Sequence, residues 1–340
     1  MKALFDDRQW KHDPQYFMAT GVQSPSPEQP ERIARLKAGA LAAGCQFETP
    51  SDVGLGPIAA VHTPEYLAFL QTIHARWQLQ DGASAEVVPN IHPRSRADIY
   101  PRSAVGQAGY HQADTACPIG EHTWEAAYWS AQCAISGADC LTTGARAAYV
   151  LSRPPGHHAY QDMAGGFCFL NNAGIAAERL RSQGFRPAIL DVDVHHGNGT
   201  QGMFYERGDV LTVSLHADTE RFYPFFWGHP QERGKGAGLG ANLNLPLARG
   251  TDDDTYLQTL SQAIERIRAF GCDALVVALG LDASEEDPFQ GMAITTPGFA
   301  RIGAAIVGMG LPTLLVQEGG YLSDALQHNL TSTLTGFMTA

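Results

Sequence analysis

No apolar run in the chain reaches the roughly 20 residues needed to cross a bilayer. The opening "MKALFDDRQW" also lacks the apolar core of a secretory signal. A cytoplasmic protein without membrane partners is the expectation. Six cysteines (Cys45, Cys117, Cys133, Cys140, Cys168 and Cys272) include no C-x-x-C pair, so neither a thiolate metal ribbon nor a dithiol redox motif is written here. They read as reduced core thiols. Basic residues are in deficit, with 23 Lys+Arg against 35 Asp+Glu and a net charge of −12, so the global field repels nucleic acid and favours a cationic substrate. Repeats of fixed period and low-complexity tracts are absent as well.

What remains is the composition of a globular protein with a sizeable core: 44% hydrophobic, 17% charged, and 36 Gly with 20 Pro to make turns and long loops. A length of 340 residues allows two average domains or one large α/β domain. The patterning favours one, spanning 1–340. Short apolar runs at Ala3–Asp6, Ala147–Ser152, Pro187–Val194, Val210–His216, Ala274–Leu281 and Pro312–Gln317 alternate with helical periodicity at Pro30–Gly44, Thr63–Leu79, Thr123–Thr143, Asn171–Gly184, Asp252–Gly271 and Thr296–Gly310. That alternation is the signature of βαβ units around a parallel sheet. Thr63 before Pro64 is an N-cap with proline at the first helical position, and glycines 44, 184, 271 and 310 close helices. Gln80–His122, containing "NIHPRSRADIYPRSAVG", breaks the rhythm and reads as a long loop insertion without sustained periodicity.

In open α/β sheets ligands gather beyond the carboxyl ends of strands. Four strand ends carry chemistry: "RPPGHHAY", "DVDVHHGNG", "GLDASEEDP" and "QEGGY". Along an extended strand, Asp191, Asp193 and His195 share one face at steps of about 6.6 Å, with Val192 and Val194 on the other. Two carboxylates so close in an apolar run are costly unless a cation lies between them. Asp193 and His195, nearest the strand end, are the expected ligands, with Asp282 able to supply a third. Such a set suits Zn²⁺, with Fe²⁺ or Co²⁺ as alternatives, and leaves room for water and substrate. His157 and His158 follow a bent "RPPG" loop and can serve as acid and base. Tyr321, after two glycines, can donate to a developing oxyanion. Metal, paired histidines and phenol together describe amide hydrolysis. His196 points off the ligand face and is expected to be structural.

With these motifs, joined by "GGFCFLNNAGIAA", "ILDVDVHHGNGTQGMFY" and "VSLH", most of Ala3–Gly336 resembles the histone deacetylase superfamily, and the long insertion before "TWEAA" resembles its acetylpolyamine amidohydrolase branch. The resemblance implies a three-layer α/β/α fold with a mainly parallel eight-stranded sheet, as in the arginase/deacetylase fold. It implies Zn²⁺ on Asp193, His195 and Asp282, His158 as general acid and base, His157 as its electrostatic partner, and Tyr321 as the polarising hydroxyl. Asp191 and Asn198 match residues that orient His157 and His158. Asp191, Asp193 and Ser214, with the carbonyls of His195 and Leu215, match a structural K⁺ site. Gly166, Phe167 and Tyr223 would line a channel for a small acylated amine, and the insertion would make a homodimer contact. One departure stands out: Val105 occupies the place where the polyamine branch carries a glutamate. An apolar residue supplies no charge pairing, which leaves the amine portion open between a polyamine and a neutral amine; Asp98, Asp114 and Glu121 are the nearby acids that could substitute. Protein acetyl-lysine is the alternative substrate. A manganese ureohydrolase, which shares the architecture, needs further carboxylates where Gly197 and Ser284 stand.

Overall fold

The computed structural model describes residues 1–97 and 99–340. Among the described residues ten strands form: β1 (Lys2–Leu4), β2 (Tyr16–Ala19), β3 (Val22–Pro25), β4 (Gln46–Glu48), β5 (Ala147–Val150), β6 (Pro187–Asp191), β7 (Leu211–Ala217), β8 (Asn242–Leu247), β9 (Ala274–Leu279) and β10 (Thr313–Gln317). Eight of them make one sheet in the order β4-β1-β5-β10-β9-β6-β7-β8, and every pairing in it is parallel. β2 and β3 pair antiparallel in a separate hairpin.

Strand alternation sorts the core into two layers. Ala148, Val150, Ile189, Val276, Leu314 and Val316 pack on one face, against the helices Pro64–Trp77, Thr123–Thr142 and Asn172–Ser182. Tyr149, Leu190, Leu275, Val277 and Leu315 pack on the other, against Glu31–Ala42, Asp253–Phe270, Thr296–Val307 and Leu326–Thr339. Parallel strands buried on both faces need this near-continuous apolar character. The result is a three-layer α/β/α sandwich.

The helix ends follow local chemistry. Thr63 accepts a hydrogen bond from the Tyr66 amide, with Pro64 opening the helix. Gly271 closes its helix at φ +75°, a left-handed conformation that suits a residue without a Cβ.

Several expectations need correction. The edge strands β4 and β8 were not expected: β4 is three half-exposed residues, and β8 carries Asn242, Asn244 and Pro246, residue types that disfavour strands and are tolerated at an edge. The expected strands Pro187–Val194 and Ala274–Leu281 stop early, at Asp191 and Leu279, because the chain turns into site loops there. Gln80–His122 is not without regular structure: Ser103 caps a helix over Ala104–His111, and Val87 bridges Ile119. The helices Asn198–Phe204 and Leu326–Thr339 were also missed.

Candidate active site

The four motif-bearing strands β5, β10, β9 and β6 are neighbours in the sheet, so their carboxyl ends open onto one place. Beyond β6 the ligand face is held by side chains, not by the pleat that the sequence suggested. Asp191 Oδ1 accepts the Asp193 amide at 3.1 Å, and Asp193 Oδ1 accepts the His195 amide at 2.8 Å. Each carboxylate thereby bends the chain that presents the next donor. Val192 and Val194 still turn into the opposite core layer.

Asp193, His195 and Asp282 are buried, and one donor atom from each lies within 4.8 Å of the others. His195 Nδ1 is 3.2 Å from both Asp193 Oδ1 and Asp282 Oδ2. The second oxygens are occupied elsewhere: Asp193 Oδ2 accepts the Gly319 amide and Asp282 Oδ1 the Val194 amide, at 2.8 Å and 3.0 Å. Two carboxylates and an imidazole so arranged fit a divalent cation by charge and donor type. Three ligands, with His195 also lining an open cavity, leave space for water and substrate. Among the described residues no further carboxylate joins them: a Cβ at Gly197 would overlap Asp191 Oδ2, and Ser284 Oγ is engaged by the Asn329 amide. The extra ligands of a two-metal site have no room at one position and no acid at the other.

The rings of His157 and His158 lie 4.0 Å apart between centroids, tilted by 43°, yet their surroundings oppose each other. His157 Nδ1 lies 2.9 Å from Asp191 Oδ2, and His158 Nδ1 lies 2.6 Å from Asn198 Oδ1. Burial disfavours charge on both rings, but Asp191 and Asp193 hold the His157 pKa well above its usual range. Burial, His157 and His195 push His158 well below it. Because Asn198 Oδ1 can only accept, His158 Nδ1 carries the proton and its Nε2 is the free base.

Tyr321 is buried, with its phenol pushed well above the usual pKa by burial, so it stays protonated as a donor. Its amide donates to Asp287 Oδ2 at 3.0 Å. The channel above is a cavity of about 520 Å³ with mainly apolar walls. Phe167 enters it from a two-residue turn in which Gly165 and Cys168 exchange backbone hydrogen bonds; Gly166 and Phe167 both have positive φ, +51° and +69°. Such a turn suits glycine at the first place and strains phenylalanine at the second, where the ring packs edge-on to Phe17 and Tyr321. Tyr223 faces it and meets the His158 ring at 4.9 Å. Ser214 pairs with Asp191 across β6 and β7, beside buried Leu215. His196 lies away from the ligands, bonded to Gln201 and Asn244.

Some expected residues lie elsewhere. Val105 sits half-buried on the helix Ala104–His111 against the core and does not line the cavity. Glu121 lines a separate cleft, and Asp98 lies outside the described residues. Asp114 does line the channel. Sequence reading passed over Glu318, whose Oε2 accepts the amides of Gly156 and His157 at 2.6 Å and 3.0 Å, and whose pKa burial lifts to about 7. A carboxylate closing an apolar strand beside the site motif was the available signal. Asp287 was quoted within "GLDASEEDP" but given no role.

The histone deacetylase domain model matches residues 26–337. The chain belongs to the histone deacetylase family. It is an amidohydrolase of that family, whose members are metal-dependent. The chain is 46% identical to acetylpolyamine amidohydrolase of Burkholderia pseudomallei, over 99% of this chain and 98% of that one. It is 42% identical to acetylpolyamine amidohydrolase 1 of Pseudomonas aeruginosa, over 99% of each. The crystal structure of the acetylpolyamine aminohydrolase from Burkholderia pseudomallei superposes with a TM-score of 0.97 at 46% identity, covering 100% of this chain and 99% of that one.

Proposed function

We propose that the chain is a zinc-dependent deacetylase that hydrolyses the acyl amide of a small acylated amine of the acetylpolyamine type. The observation that carries this reading is the convergence of Asp193, His195 and Asp282 at the floor of an apolar channel, beside a neutral His158 and a protonated Tyr321. Full-length similarity to acetylpolyamine amidohydrolases supports the substrate class.

In this reading Asp193, His195 and Asp282 hold the Zn²⁺, which when bound polarises the amide carbonyl and lowers the pKa of water. Fe²⁺ or Co²⁺ suits the same donors. His158 Nε2 takes a proton from the attacking water and delivers it to the amine as the C–N bond breaks. His157, kept cationic by Asp191, faces the negative charge that develops. The Tyr321 hydroxyl donates to the carbonyl oxygen as that charge grows. Gly166, Phe167 and Tyr223 form the walls along which the amine chain lies. Asp191, Asp193 and Ser214, with the carbonyls of His195 and Leu215, are the residues that would hold a K⁺, whose charge would offset the second carboxylate. The six free cysteines suit a reducing cytoplasm.

Tyr321→Phe should lower kcat on an acetylated diamine by about a hundredfold or more, the scale of one lost oxyanion donor. Unchanged turnover in that variant would sink the assignment. Chelation should abolish hydrolysis and one equivalent of Zn²⁺ restore it; two tightly held Mn²⁺ per chain would instead favour a ureohydrolase. Faster cleavage of acetyl-lysine peptides than of acetylated diamines would move the substrate to protein.

A further inference from the structure

We propose that Asp287 is a positioning residue: it fixes the Tyr321 phenol by holding both the Tyr321 backbone and the wall on which the Tyr321 ring rests. This builds on the reading of the chain as a deacetylase in which Tyr321 donates to the developing oxyanion. Asp287 is buried and does not line the channel, so it acts through its neighbours. Its Oδ2 accepts the Tyr321 amide at 3.0 Å, and its Oδ1 accepts the Phe289 amide at 2.9 Å. Phe289 lines the channel, and its ring meets the Tyr321 ring edge-on at 5.0 Å and the His195 ring at 5.3 Å. One carboxylate thus anchors the oxyanion donor and the wall beside it.

The need for such an anchor comes from the two residues before Tyr321. A Cβ at Gly319 would overlap the carboxylates of Asp193 and Asp282, and one at Gly320, where φ is +113°, would come within 2.8 Å of Leu281 Cβ. Close packing under the ligands therefore demands glycine twice, and glycine brings the widest backbone freedom. The restraints before Tyr321 stop at that pair: Asp193 accepts the Gly319 amide, and Arg32 donates to the carbonyls of Glu318 and Gly320. The Tyr321 amide is the first group beyond it, and Asp287 is its acceptor. Asp287 is itself well placed. Its amide donates to the Ser284 carbonyl at 3.1 Å, and Pro288 fixes the backbone between its carboxylate and the Phe289 amide, which closes an Asx-turn. Displacing a reacting group by about 1 Å can cost about a hundredfold in rate, so a small loss of this hold is readable in turnover.

A residue that acts through the phenol is told apart from one that only supports the fold by a double-mutant cycle with Tyr321→Phe. Asp287→Asn keeps the size of the side chain but offers one acceptor oxygen to two amides; Asp287→Ala offers none. Both are measured alone and combined with Y321F, with kcat and KM determined for N-acetyl-1,4-diaminobutane. D287N should lower kcat by about tenfold or more with KM within about threefold, and D287A should lower kcat further. In the Y321F background, where no hydroxyl remains to be placed, either change should cost under about threefold. Losses that multiply in the double variants overturn the proposal, because they show damage independent of the phenol. So does a loss carried mainly by KM, which would assign Asp287 to the channel wall alone. If D287A does not fold, D287N and its cycle decide. If Y321F turns over as fast as the wild type, the deacetylase reading fails first; if Y321F is slow and D287N retains full kcat, that reading stands and the role of Asp287 falls.

Discussion

His62 shows how one buried side chain ties stability to pH. Its Nε2 accepts the Asn171 amide at 3.0 Å, and its Nδ1 faces the Gln161 carbonyl at 3.2 Å, so the ring is neutral with the proton on Nδ1. A second proton would displace the Asn171 bond, and burial pushes the pKa down to about 4. An unfolded histidine titrates near 6.5, so between that value and about 4 the unfolded chain binds more protons. The contribution of His62 is complete above that window and is lost as pH falls through it, at about 1.4 kcal/mol per pH unit. His62→Gln should remove this slope. Urea midpoints of both proteins at pH 7.5 and 4.5 measure it, and parallel declines would show that His62 stays uncharged in the unfolded state or charged in the native one.

At the level of elements, one buried carboxylate joins two site loops. Glu28 Oε1 lies 2.6 Å from Arg32 and 2.9 Å from Arg153, with all three side chains fully buried. Arg32 donates to the carbonyls of Gly320 and Glu318 beside Tyr321, at 2.6 Å and 2.7 Å. Arg153 begins the loop that carries His157 and His158, and donates to the Gln9 carbonyl. Glu28→Gln would leave two guanidinium groups buried without their counter-ion, at a cost of about 3–5 kcal/mol. Because both loops depend on that corner, kcat should fall more than KM rises. A urea-midpoint loss worth under about 1 kcal/mol would mean that water reaches the arginines.

Over the whole molecule, the segment Gln80–His122 leaves Ile91 62%, Ile99 80% and Tyr100 40% exposed. Large exposed apolar side chains within one segment are candidates for an interface. The resemblance to the polyamine branch implies a contact with a second copy of the chain through this segment. Sedimentation should therefore find a dimer, and deletion of Pro89–Arg102 a monomer with a wider substrate range. A truncated protein that remained dimeric would place the contact elsewhere. No helix among the described residues is long and apolar enough to cross a membrane.

The alternation of apolar runs and helical periodicity was sufficient to read a parallel α/β fold and the four strand-end motifs, because those patterns follow from burial on both faces of a sheet. The family resemblance was carried by the same residues. Order in space was not written there: that β5, β10, β9 and β6 are neighbours is a property of long-range pairing, which no local window contains. The run Asp191–His195 was legible as a ligand set, but the reason given for it, strand pleating, holds only as far as Asp191. Hydrogen bonds from backbone amides to the carboxylates do the rest. Glu28, with partners at Arg32 and Arg153, could not be paired from sequence, since attraction between charges depends on distance in space. The same holds for the acid at the channel. Asp98, Asp114 and Glu121 are alike as residues along a chain, and folding alone put Asp114 against Tyr223 and Glu121 in another cleft.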